Sequence, residues 1–193
     1  MSLPQDPTRR RFMHHATHAA SAAALAGLGT SGLAHAMPAA LAPAAGERAL
    51  DFVHTHTGER IGLVFAVGRD YLQGSLTALN RFLRDHYTGE VGRIDPQLFD
   101  LLHRVRGLVG ARTPFEVISG YRCPTTNQHL RATGGGGVAR RSLHMDGRAI
   151  DVRLAGVKLA DLRDAALSLQ GGGVGYYARD GFVHLDTGRV RSW

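Results

Sequence analysis

Two short runs of alternating residues limit what this chain can become. From Arg148 to Leu154, Ile150, Val152 and Leu154 fall on one side of an extended strand, and Asp151 and Arg153 on the other. From Phe182 to Asp186, Val183 and Leu185 share one side, while Phe182, His184 and Asp186 share the opposite one. A period of two fits no helix, so both runs belong to a sheet that packs on one face and leaves the other open. If both apolar faces pack on the helices, Asp151 and His184 emerge on the same open side of the sheet. His144 lies just upstream, in Ser142-Leu143-His144-Met145-Asp146-Gly147, where the glycine permits a tight turn. Two imidazoles and one carboxylate make the ligand count of a catalytic zinc, which keeps a fourth position for water. A structural hydrogen bond between a strand histidine and an aspartate explains the same residues. Spacing leaves both readings open.

The remaining chain reads as the scaffold for that sheet. Ala49–Thr55 and Arg60–Val67 are strand-like and joined at Thr57-Gly58-Glu59, a hairpin signal. Leu72, Leu76, Leu79 and Leu83 recur at helical spacing and predict an amphipathic helix over Tyr71 to Tyr87. Asp95-Pro96 supplies an N-cap and a first-turn proline for a second helix, buried through Leu98, Leu101, Leu102, Val105, Leu108 and Val109. Phe115–Ile118 predicts a core strand, Pro124–Arg131 a short helix, and Lys158–Leu169 a further helix. Gly173–Tyr177 and Phe182–Asp186 form a final hairpin. Gly134–Gly137 is a glycine loop with no Lys-Ser/Thr pair after it, so it is not a phosphate cradle. With 44% hydrophobic and 20% charged residues among 193, one globular domain spanning 47–193 suffices. Its class is α+β, with a mainly antiparallel sheet packed against helices.

The first 36 residues follow a different logic. Arg9, Arg10 and Arg11 precede an alanine-rich apolar run that ends at Ala34-His35-Ala36, a small-x-small cleavage pattern. Residues 1–36 are therefore expected to be a twin-arginine (Tat) signal peptide and 37–46 a linker. The apolar run is too short and too rich in Ala and Gly to span a membrane stably. Export to the periplasm by the Tat machinery follows from this. Export and an aromatic content of 7% also argue against nucleic acid as the partner of a chain with formal charge +7. The one cysteine, Cys123, excludes an intrachain disulfide and a multi-cysteine metal site, and reads as a small neutral filler. Of the 11 histidines, those at 14, 15, 18 and 35 lie in the signal. Those at 54, 56, 86, 103 and 129 read as surface or helix residues.

The pattern Ser-x-His-x-x-Gly-x-Ala-x-Asp, met by Ser142, His144, Gly147, Ala149 and Asp151, resembles the first zinc motif of the M15 peptidases. Ser119-Gly120-Tyr121-Arg122, Gly172 to Tyr177, Phe182 to Gly188 and the terminal Ser192-Trp193 resemble the DUF882 branch of that group. The resemblance covers essentially the whole domain and implies a Hedgehog/DD-peptidase-like fold. It implies a zinc peptidase acting on peptidoglycan stem peptides, with His144, Asp151 and His184 holding one Zn2+. Related endopeptidases prefer 3-3 links between two diaminopimelate residues, with some action on 4-3 links. A D,D- or L,D-carboxypeptidase, or a non-catalytic wall-binding protein, are the other functions the fold can carry.

Roles for the neighbouring residues follow from the same resemblance. Arg122 is expected to stabilise the oxyanion or to clamp a substrate carboxylate. Ser142 is expected to be a hydrogen-bonding loop residue of the substrate site. In some relatives an acid or histidine just before the last ligand histidine serves as general base, and here Phe182 takes that place. Asp186 is the nearest alternative, either as base or as the partner that orients His184. Asp146 is a third choice.

Overall fold

The computed structural model describes residues 46–133 and 138–193. The expected signal segment 1–36, the expected linker through residue 45 and the glycine run 134–137 fall outside the described residues. Among the described residues, eight strands form one sheet. They are β1 Glu47–His54, β2 Arg60–Val67, β3 Asp70–Tyr71, β4 Phe115–Ser119, β5 Ala149–Leu154, β6 Gly173–Tyr177, β7 Phe182–Asp186 and β8 Arg191–Ser192. Their spatial order is β3-β2-β1-β4-β5-β7-β6-β8. Pairing is antiparallel except between β1 and β4 and between β6 and β8. The α+β class with a mainly antiparallel sheet is the observed architecture.

Helices α1 (Gln73–Phe82), α2 (Pro96–Leu108) and α4 (Leu159–Ser168) pack on the sheet, α1 against β2, α2 against β1 and α4 against β5, β6 and β7. Phe52, Phe65, Phe99, Phe115, Ile150 and Leu185 are completely buried between these layers. Each such side chain contributes roughly 1.5–3 kcal/mol by leaving water. Helix α3 (Pro124–Thr133) buries only Thr126 and Asn127.

Helix α1 is shorter than its leucine spacing predicts. Asp70 and Tyr71 pair with β2 instead, and Leu72 becomes the N-cap. Beyond its other end, the Asp85 side chain accepts from Tyr87 N at 2.9 Å and Cys123 N at 2.8 Å. A side-chain acceptor of this kind offers the backbone an alternative to the helix. A second correction concerns His54. Rather than a surface residue it is buried in β1, edge-on to Phe82 and beside the stacked rings of His56 and His86. Strand alternation places it on the side of Leu50 and Phe52, which are buried with it.

Candidate metal centre

Strand register brings the first two candidates together. Asp151 of β5 and His184 of β7 are directly opposed across an antiparallel pair, with Val152 facing Val183 next to them. The valines enter the core, so their neighbours emerge on the open face. His144 arrives from the 142–147 turn. Ser142 Oγ accepts from His144 N at 3.4 Å, and Gly147, at φ +64°, reverses the chain into β5. A β-carbon on Gly147 would lie 1.9 Å from the Arg93 carbonyl oxygen, so only glycine lets the turn approach this close.

His144 Nε2 lies 3.2 Å from both His184 Nδ1 and Asp151 Oδ2, and His184 Nδ1 lies 2.8 Å from Asp151 Oδ1. All three residues are buried, and one donor atom from each falls within 4.8 Å of the others. The outward nitrogens are accounted for. His144 Nδ1 donates to the Gly120 carbonyl at 2.7 Å, and His184 Nε2 donates to Asp186 Oδ2 at 3.1 Å. Each imidazole thereby has one nitrogen occupied outward and turns the other toward the common centre, where it can serve a metal once that nitrogen gives up its proton. This donor set fits a divalent ion.

Electrostatics reinforce the grouping. Burial opposes ionisation of Asp151, but the His144 charge and hydrogen bonds from both imidazoles hold its carboxyl well below the usual range. Burial disfavours the cation of His184, yet hydrogen bonds to Asp151 and Asp186 outweigh it and raise the imidazole to about 9.

The centre forms the floor of a cleft of about 450 Å³. Arg122, Arg141 and Arg191 make one part of its lining cationic, and Tyr177, Phe182 and Trp193 make another part aromatic. The Arg122 guanidinium is 3.7 Å from Asp151 Oδ2 and 3.2 Å from Ser119 Oγ. Ser142 also lines the cleft. Asp146 is exposed and is not among the lining residues, so it stands apart from the centre.

Asp186 is adjacent to His184 but fully buried and saturated. Its oxygens accept from Gly173 N at 3.1 Å, Gly188 N at 2.8 Å, both Arg191 terminal nitrogens and His184. Among the lining residues that went unread in the sequence as site residues are Arg141, Tyr177, Arg191, Trp193 and Asp180, the last in the β6–β7 turn. None carries a spacing signal of its own, because a turn carboxylate and a chain-terminal aromatic are commonplace.

Comparison with known proteins agrees with this geometry. Residues 42–193 match the family model described as peptidoglycan L,D-endopeptidase MepK, of the peptidase M15 type. The Escherichia coli K12 protein of that name is 49% identical over 146 residues, covering 76% of this chain and 80% of the relative. The Haemophilus influenzae protein named probable peptidoglycan L,D-endopeptidase MepK is 41% identical over 147 residues, covering 76% of this chain and 78% of the relative. A sheet whose open face gathers two histidines and an aspartate, matched along the whole described domain, belongs to the MepK branch of the M15 peptidases.

Proposed function

We propose that this chain is an exported, zinc-dependent peptidoglycan endopeptidase that hydrolyses stem-peptide cross-links, the 3-3 diaminopimelate links foremost. The convergence of His144, Asp151 and His184 at the floor of a cationic cleft carries the reading. The names of the relatives supply its substrate. Bound by these three side chains, zinc would polarise the scissile carbonyl and bring the pKa of a water toward neutrality.

The protein's own groups do the remaining work. Arg122 and Arg141 offer guanidinium forks to the carboxylates of an anionic stem peptide. Arg122, nearer the donor set, also faces the developing oxyanion. Asp186 holds His184 in orientation rather than taking a proton, since every lone-pair direction it has is occupied. Asp180 is the cleft-lining carboxylate that pairs with no residue among those described, and it takes the proton in this reading. In this reading the twin-arginine segment directs the chain to the periplasm by Tat export. No described helix is long and apolar enough to cross a membrane.

Digestion of purified sacculi by the zinc-loaded protein tests the proposal. Cross-linked 3-3 dimers should disappear, and both chelator and His184→Ala should abolish the loss. Intact dimers with shortened stems would identify a carboxypeptidase instead. Zinc binding without any change in the muropeptides would identify a wall-binding protein.

A further inference from the structure

The last three residues close the cleft in a way that the zinc reading leaves unused. Strand β8 runs parallel to β6, and Trp193 is tied there by its N to Val174 O at 3.3 Å and by Tyr176 N to its O at 2.9 Å. Gly175 of β6 is the cross-strand partner of His184. A β-carbon on Gly175 would lie 2.7 Å from the Trp193 ring, so this glycine makes room for the indole beside the histidine. The indole and imidazole centroids are 5.3 Å apart at 50°, and Trp193 Nε1 donates to Tyr177 OH at 2.9 Å.

Arg191 joins the same assembly from the other side. Its NH2 and NH1 donate to Asp186 Oδ2 and Oδ1 at 2.7 and 3.1 Å, and its guanidinium lies 4.8 Å from the Trp193 ring centroid. Asp186 has no exposed surface and is the acceptor for His184 Nε2. The path therefore runs Trp193 to Arg191 to Asp186 to His184, with each link a contact. Without the fork, a buried carboxylate loses, among the described residues, its one formal counter-charge apart from the imidazole.

We infer that Arg191 and Trp193 are positioning residues of the metal centre. Arg191 fixes Asp186, Asp186 fixes the His184 tautomer, and the indole holds the imidazole against rotation while forming the cleft wall. The inference rests on the zinc reading of the site.

Zinc affinity of the purified protein, measured by competition with a chromogenic chelator, tests it. Trp193 is the chain's one tryptophan, so its emission reports directly on the neighbouring His184. In the wild type the emission should change saturably as zinc is added, and His184→Ala should remove that change. Arg191→Ala and Trp193→Ala should weaken zinc by about 10–100-fold, the range for residues that orient a ligand. Trp193→Phe, which keeps a packed ring, should stay near the wild type. Arg191→Lys should fall between, because an ammonium has no fork.

A double-mutant cycle with Asp186→Asn separates positioning from general loss of structure. If Arg191 acts through Asp186, the double variant should be little worse than either single one. Additive losses, or zinc affinities within about twofold of wild type in both alanine variants, would overturn the inference. Should Trp193→Ala fail to fold, by far-ultraviolet circular dichroism, the cycle and Trp193→Phe still decide. A wild type that binds no zinc would instead remove the zinc reading itself.

Discussion

Gly147 stands at φ +64° with the Arg93 carbonyl oxygen 1.9 Å from where a β-carbon would lie. Gly147→Ala should therefore cost on the order of 1–3 kcal/mol from backbone strain, and more from the overlap. Urea denaturation checks this, and zinc affinity should fall with it because the turn carries His144. Two carboxylates divide the work that the sequence leaves to one. Asp186→Asn should weaken zinc while leaving the cleft lining intact, because that carboxylate is turned inward onto His184 and Arg191. Asp180→Asn should lower kcat on cross-linked muropeptides with zinc content unchanged; unaltered turnover would remove Asp180 as proton acceptor. The residue types of the centre were legible in the sequence, and so was the choice between two roles for Asp186. Which role it takes was not, because saturation depends on Gly173, Gly188 and Arg191 arriving from other segments.

Among the elements, α2 links scaffold to site. Asp95 caps it by accepting from Gln97 N at 3.0 Å, and the same side chain accepts from Thr187 Oγ1 at 2.7 Å, just beyond β7. Its backbone N donates to Gly147 O at 2.9 Å, at the turn that carries His144. Asp95→Ala should cost about 1–2 kcal/mol, toward the upper end of N-cap losses because a second hydrogen bond goes with the cap. Thermal unfolding would measure it. The cap was readable as Asp-Pro before an apolar stripe. The tie to Thr187 was not, since it joins segments far apart along the chain. Strands β5 and β7 were likewise readable from alternation, whereas β3 and β8, at two residues each, are too short to carry a period.

Across the molecule, the least expected feature is the group of His54, His56 and His86 at the end of β1. Burial, followed by the charges of His86 and His56, lowers the His54 imidazole to about 4, with Arg84 acting in the same direction and Glu59 against it. Burial and His56 also lower His86, assisted by Arg122 and opposed by Asp85. An unfolded histidine titrates near its ordinary value of about 6.5. Between these two values the unfolded chain binds the extra proton, so stability rises with pH across the window. It is fully present above about 6.5 and is lost as pH falls toward 4, by on the order of 3 kcal/mol for His54. Urea midpoints measured from pH 7 to pH 4.5 should fall, and His54→Leu should flatten the slope. An unchanged slope in that variant would place the acid sensitivity elsewhere.

Local pattern carried a great deal in this chain. Alternation and leucine spacing set the class of fold, and the Ser-x-His-x-x-Gly-x-Ala-x-Asp run named two donors and the turn between them. Those features are encoded by neighbours, and period and turn chemistry act over a few residues. Three matters belonged to the folded chain alone. They are the register that opposes Asp151 to His184, the parallel return of β8 that lays Trp193 beside the centre, and the burial that joins His54 to His56 and His86. Each depends on contacts between segments far apart in sequence, and no local propensity specifies which distant strand will be the neighbour.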